Sequence, residues 1–63
     1  MKIRYDKEIK ALKKGELVTE IELDTYDNKE YRQTLRVDRV NKNTVSVTCV
    51  AGYMVNSSWK IYK

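Results

Sequence analysis

Basic and aromatic side chains are the residues of this chain whose types and spacing favour a binding chemistry. Arg32 and Arg36 point to the same side of one predicted strand, and Lys60 and Tyr62 share a side of the last. Arginine and lysine neutralise phosphates, and a tyrosine ring offers a flat surface on which a nucleobase can stack. The predicted nucleic-acid-binding residues are Arg32, Arg36, Arg39, Lys42, Lys60, Tyr53 and Tyr62.

Aromatic composition supports the same idea but has a second explanation. The chain has five tyrosines, one tryptophan and no phenylalanine, and tyrosine is favoured at interfaces because its ring is apolar and its hydroxyl is polar. A domain of this size also needs aromatic bulk in its core. Trp59 and Tyr31 are expected to be used in that way.

Carboxylates form an opposing feature. Glu20, Glu22 and Asp24 occupy every second position of a predicted strand, so they line one of its faces. Such a row could hold a cation or take part in acid–base chemistry, but a solvated strand face is the simpler interpretation where no pocket walls are predicted. A carboxylate row also repels a phosphate backbone, which favours a protein partner over nucleic acid.

The chain offers little for catalysis. It has no histidine, which is the commonest general base and metal ligand. Its single cysteine, Cys49, lies among strand residues on a predicted inward face, which indicates a buried structural thiol rather than a nucleophile. We therefore expect a binding protein that is not an enzyme, with no catalytic residue, metal site or cofactor.

Length and composition predict one small domain over residues 1–63. Thirteen basic residues against nine acidic ones give a net charge of +4, which permits contact with nucleic acid or an acidic protein without requiring either. A lone cysteine suits a reducing compartment. The chain has no apolar run long enough to span a bilayer and no signal-peptide pattern, so a soluble cytoplasmic protein without membrane contact is expected.

A short helix is predicted over residues 6–14. Asp6 is a suitable N-cap, and Gly15 can take the positive φ angle that often follows a helix. Ile9 and Leu12 form a narrow apolar stripe. Nine residues do not hold a helix alone in water, so this one is expected to dock on the rest of the domain.

A period of two begins at Leu17 and continues to the end of the chain. It predicts strands over residues 17–24, 31–40, 44–50, 53–55 and 59–62, separated by turns rich in asparagine. In the first of these, Leu17, Ile21 and Leu23 are expected to face inward, and Glu20 and Glu22 outward. The predicted core is Ile9, Leu12, Leu17, Ile21, Leu23, Leu35, Val37, Val45, Val47, Cys49, Trp59 and Ile61.

The sequence from residue 15 to residue 62 resembles the small barrels of the KOW and Src-homology-3 type. The resemblance consists of a glycine-x-x-valine start at Gly15, the hairpin sequence VDRVNKNTVSV over residues 37–47, and a last strand led by Trp59. It implies a mostly β, five-stranded antiparallel barrel, here with one short N-terminal helix covering an open end. Barrels of this type commonly bind nucleic acid or protein segments.

Two functions remain open from the sequence. The first is a sequence-independent nucleic-acid-binding module, for DNA or RNA, that uses the basic–aromatic residues. The second is a small protein-binding regulator or inhibitor, for which a homodimer is one form, because short lysine- and asparagine-rich chains without proline resemble bacteriophage accessory proteins. If the first two predicted strands pair, Glu20 and Glu22 could face Arg36 and Arg32, which would weaken the nucleic-acid hypothesis.

Overall fold

A computed structural model describes residues 2–63 as one antiparallel sheet. Its strands are β1 (Lys2–Tyr5), β2 (Leu17–Asp24), β3 (Lys29–Val40), β4 (Thr44–Ala51) and β5 (Ser58–Tyr62). The strands lie in the sheet in their sequence order, each paired with the next, and the sheet curls into a half-barrel. Within the described residues, the edge strands β1 and β5 do not pair with each other, so the curl is not closed.

Most of the predicted strands are confirmed. β2 has the predicted bounds, β3 begins two residues earlier, and β4 and β5 each gain one residue. The predicted strand over residues 53–55 is wrong, because this segment turns back on itself. The amide of Asn56 donates to the Cys49 carbonyl at 2.9 Å, and Asn56 has a φ of 72°. The fifth strand is instead β1, which was not predicted.

The predicted helix over residues 6–14 is wrong. The segment contains a single 3-10 turn, Ile9–Ala11. Asp6 does not cap it, because the Asp6 carboxylate accepts from the Thr19 amide at 2.8 Å and the Asp6 amide donates to the Thr19 carbonyl at 3.1 Å. These bonds extend the β1–β2 pairing and take away the group that would start a helix. Gly15 does adopt a positive φ, of 88°.

An apolar cluster lies on the concave side of the sheet, which we call the inner face. Leu12 packs there against side chains of β2 to β5, so the segment before β2 covers one end of the cluster. Ile9 and Trp59 are half-buried against it. The buried members are Leu12, Val18, Leu35, Val37, Val45, Val47, Cys49 and Ile61.

The facing of β2 is the main error in the predicted core. Val18 and Glu20 lie on the inner face and are buried, whereas Leu17 is 51% exposed on the other side and Leu23 is only partly buried. One face of this strand carries Leu17, Ile21 and Leu23, and the other carries only Val18 as a large apolar residue. Hydrophobicity alone therefore predicted that the wrong face points inward. The register decides otherwise, because Val18 is paired with the fully buried Leu35 of β3.

None of the helices in the described part of the chain is long and apolar enough to cross a membrane.

Candidate nucleic-acid interface

We call the convex side of the sheet the outer face. Most of the cationic side chains of the strands lie on it. Strand pairing places Arg4 and Arg32 on either side of Ile21, and it places Arg39 beside Ser46 and Ser46 beside Lys60. Among the described strand residues, the charged side chains of this face are the cations Lys2, Arg4, Arg32, Arg36, Arg39 and Lys60 and the carboxylates Glu30 and Asp38.

Five of the seven predicted site residues share this face. They are Arg32, Arg36, Arg39, Lys60 and Tyr62. Tyr62 is 82% exposed, so its ring is available for stacking.

The other two predicted residues lie elsewhere. Lys42 is exposed in the connection between β3 and β4, at the end of the sheet. Tyr53 does not join the group. Its hydroxyl donates to the Glu22 carboxylate, and its ring makes a T-shaped contact with the Tyr31 ring, with centroids 6.4 Å apart.

A β-bulge explains how Arg36 and Arg39 come to the same face despite their odd spacing. The β3–β4 register shifts between Val37 and Arg39, so that Val37 pairs with Val47 and Arg39 with Ser46, leaving Asp38 as the extra residue. Without the bulge, alternation would turn Arg39 toward the inner face. The bulge therefore adds a cation to the outer face while Val37 stays in the core.

The Asp38 carboxylate orients Arg36 at this bulge. It accepts a hydrogen bond from the Thr48 hydroxyl, and it accepts from Arg36 Nε at 3.0 Å. The Thr48 hydrogen bond first, and then the Arg36 hydrogen bond, hold the pKa of Asp38 below its usual value. Asp38 is thus ionised at neutral pH and offsets part of the Arg36 charge.

Arg32 has a similar partner. Glu30, two residues before it in β3, lies 2.8 Å from Arg32 Nη2 and 3.8 Å from Arg4 Nη2. These ion pairs are exposed, and exposed pairs contribute only about 0 to 1 kcal/mol to stability. Glu30 therefore offsets part of the charge of Arg32 and Arg4 but holds them only weakly.

The carboxylates of β2 lie on the opposite side from the arginines. Glu20 is paired with Gln33 and Glu22 with Tyr31, whereas Arg32 is paired with Ile21. The suggested cross-strand pairing of these glutamates with Arg32 and Arg36 is therefore wrong. A phosphate backbone on the outer face would be separated from the β2 glutamates by the sheet.

Glu20 belongs to a buried hydrogen-bond chain instead. Only 6% of it is exposed, and it accepts from Gln33 Nε2 at 2.6 Å and from the Tyr5 hydroxyl at 3.5 Å. Burial first, and then the charge of Glu20, raises the pKa of Tyr5 to about 12. The Cys49 thiol donates to Gln33 Oε1 at 3.5 Å and continues the chain. These contacts assign Glu20 and Cys49 a structural role.

Tyr53 and Glu22 form a separate contact at the same end of the inner face. The hydrogen bond to Glu22, followed by some loss of hydration, raises the pKa of Tyr53 to about 12. Across residues 2–63, no group of three or more cysteine, aspartate or glutamate side chains is placed to hold a metal ion.

Sequence reasoning missed two cations of the outer face, Lys2 and Arg4, because it did not assign β1. The signal was present, since Lys2 and Arg4 alternate with Ile3 and Tyr5. Comparison of the chain with protein-family models, with curated proteins and with solved structures finds no match. What the chain binds must therefore be inferred from its own residues.

Proposed function

We propose that this chain is a non-catalytic nucleic-acid-binding module whose contact surface is the outer face. The observation that carries the proposal is the separation of charge across the sheet. Six cations and two carboxylates lie on the outer face, and Glu20 and Glu22 lie on the inner side. Such a surface is attracted to every phosphate of a nucleic-acid backbone, whatever the bases are, so the binding is sequence-independent.

The cations of the outer face differ in how strongly they are engaged within the protein. Arg32 and Arg36 have carboxylate partners at 2.8 and 3.0 Å. Arg39 and Lys60 lie on either side of Ser46 and have no salt bridge within residues 2–63. Arg39 and Lys60 are therefore the first phosphate ligands, with Lys42 nearby and Tyr62 available for stacking.

Salt dependence is the test that fits this mechanism. Each phosphate contact with a single strand contributes about 0.7 to the slope of log affinity against log salt, so three to five contacts give a total of roughly 2 to 4. Fluorescence anisotropy with a labelled generic oligonucleotide measures this slope. Joint replacement Arg39→Gln and Lys60→Gln lowers it by about 1 to 2, and binding that is independent of salt would contradict the proposal.

Replacing Arg32 and Arg36 with glutamine has a smaller effect on the slope. Each arginine must first leave Glu30 or Asp38, so part of its charge is already offset. The decrease in the salt slope of one double variant, divided by that of the other, therefore measures how far the ion pairs on β3 compete with phosphate.

The resemblance of residues 15–62 to KOW and Src-homology-3-type barrels supports the same proposal, since barrels of that type commonly bind nucleic acid. We include in the proposal an evolutionary relation to those barrels, in which the open half-barrel is a variant of the closed form. A cytoplasmic location fits both the lone buried cysteine and a nucleic-acid ligand.

A protein-binding regulator of the bacteriophage accessory type is the second candidate. The observation in its favour is a group of exposed apolar side chains, namely Tyr31, the Tyr53 ring that packs against it, and Met54 and Val55, which follow Tyr53 in the chain. Such a group is typical of protein contacts, including contacts between two copies of a chain. Sedimentation of the isolated protein as a dimer, with no affinity for oligonucleotides at low salt, would favour this function.

A further inference from the structure

A groove opens on the outer face between β1 and β3, at the end of the sheet away from Lys60. Its volume is about 380 Å³, and its lining residues are Lys2, Ile3, Arg4, Ile21, Leu23 and Glu30. Ile21 is 7% exposed although it does not belong to the apolar core cluster, and Leu23 is partly buried beside it. The groove thus has an apolar floor on a face that is mostly polar and charged.

Cations surround this floor. Strand pairing sets Lys2 beside Leu23 and sets Ile21 between Arg4 and Arg32. An apolar floor with a cationic border fits a ligand that carries negative charge and a flat apolar group together. A nucleotide has both features, and one base is smaller than the groove.

Glu30 adds a hydrogen-bonding group at the same place. Its carboxylate lies at the border of the groove, held by Arg32 at 2.8 Å and Arg4 at 3.8 Å. Because the two arginines offset its charge, the carboxylate can accept from the exocyclic amine of a base without repelling the neighbouring phosphates.

We infer that this groove seats one unstacked base of a single-stranded nucleic acid, while phosphates on either side contact Arg4, Arg32 and Lys2. The inference rests on the proposed function and specifies its ligand. A duplex keeps its bases stacked inside and presents only phosphates, sugars and base edges, so it cannot fill an apolar groove in this way. Single strands are therefore bound more tightly than duplexes of the same length.

Leu23→Ser tests the floor of the groove, and Leu17→Ser is its matched control. Both leucines lie on the outer face of β2, but Leu17 is paired with Arg36 and lies outside the groove. In anisotropy titrations, Leu23→Ser weakens single-strand binding about fivefold to tenfold, the effect of losing roughly 40–55 Å² of apolar contact. The salt slope stays unchanged because no charge is lost, and Leu17→Ser, which alters the outer face outside the groove, weakens binding by less than about twofold.

An abasic oligonucleotide tests the same inference on the unaltered protein. It keeps every phosphate and lacks the bases that the groove and Tyr62 would contact, so it should bind at least about fivefold to tenfold more weakly than a normal strand at the same salt slope. Leu23→Ser should bind the abasic strand as tightly as the unaltered protein does, because the groove is then empty in both. Equal affinity for the normal and abasic strands would overturn the inference, as would equal loss in Leu23→Ser and Leu17→Ser.

The two proposals fail in different ways. If single strands, abasic strands and duplexes all bind equally with a steep salt slope, the base-binding groove is refuted and the nucleic-acid-binding function stands. If none of them binds at low salt, both proposals are refuted.

Discussion

The inner and outer faces of β3 differ in how firmly the fold holds their side chains. On the inner face, Gln33, Leu35 and Val37 are buried, and each packs or hydrogen-bonds within the sheet. On the outer face, Arg32 and Arg36 are exposed and are held only by surface ion pairs. Substitution on the inner face should therefore change the free energy of unfolding. Substitution on the outer face should change the affinity for the proposed nucleic-acid ligand.

The largest expected effect belongs to the apolar part of the inner face. Leu35 is fully buried, and Leu35→Ala removes its side chain from the centre of the cluster. We expect a loss of about 2–5 kcal/mol in the free energy of unfolding by urea denaturation, which is a large share of the stability of so small a domain. The control Leu17→Ala on the outer face should change it by less than about 0.5 kcal/mol. Similar losses in the two variants would refute the assignment of faces.

Gly52 tests the contact between the β4–β5 connection and the inner face. Its φ is 130°, and a Cβ built there would lie 2.4 Å from the Gln33 Cβ. Gly52→Ala combines this clash with a strained backbone and should cost roughly 2–4 kcal/mol in the same denaturation assay.

Gly15→Ala is the matched control for Gly52→Ala. Gly15 also has a positive φ, of 88°, but a Cβ there meets nothing within 4 Å. Only the backbone cost remains, about 1 kcal/mol. If the two alanine variants were equally stable, Gly52 would not approach Gln33 as described.

The polar contacts of the inner face should make the free energy of unfolding depend on pH above about pH 10. Burial and the charge of Glu20 raise the pKa of Tyr5 to about 12, above the ordinary value of 10.0. The folded state therefore holds this proton more tightly than the unfolded state. Its contribution to stability is complete below about pH 10 and is lost as the pH rises toward 12.

Unfolding measured in steps between pH 9 and pH 12 checks this expectation. Tyr5→Phe keeps the ring, removes the phenol, and should reduce the loss of stability in that window. Tyr62→Phe is the control, because Tyr62 is exposed and has no such environment. A pH dependence that is unchanged in Tyr5→Phe would contradict the proposed Tyr5–Glu20 contact.

Four of the five strands were predictable from the sequence, and of these four only β2 was assigned the wrong face. Alternation over residues 17–24 and 44–50 set the strand positions correctly because the turns between them, at residues 25–28 and 41–43, are marked by asparagine. It failed for β2 because a buried Glu20 is acceptable only with partners, and those partners, Gln33 and Tyr5, come from other strands. Long-range pairing of this kind leaves no local signal.

Much of the candidate interface could also be predicted, for a physical reason. Arg32 and Arg36 are four residues apart on one strand, so period two places them together whatever the rest of the fold does. Arg39 joins them only through the bulge at Asp38, and Arg4 only through the pairing of β1 with β2. The groove depends on that same pairing, so no pattern within a single strand could have predicted it.

A comparison of two charge reversals tests the proposed interface most directly, and it is expected to have the smallest effect on stability. Arg39→Glu with Lys60→Glu alters the outer face, whereas Lys10→Glu with Lys13→Glu alters the exposed segment before β2. Both variants change the net charge by the same amount, so a general charge effect cancels between them. All four side chains are exposed, and neither pair of substitutions should change the unfolding transition greatly.

Anisotropy with a single-stranded oligonucleotide at low salt should show affinity largely lost in the variant with Arg39→Glu and Lys60→Glu, and only modestly reduced in the variant with Lys10→Glu and Lys13→Glu. Equal loss of affinity in the two variants would show that binding follows net charge alone, and it would contradict an interface on the outer face.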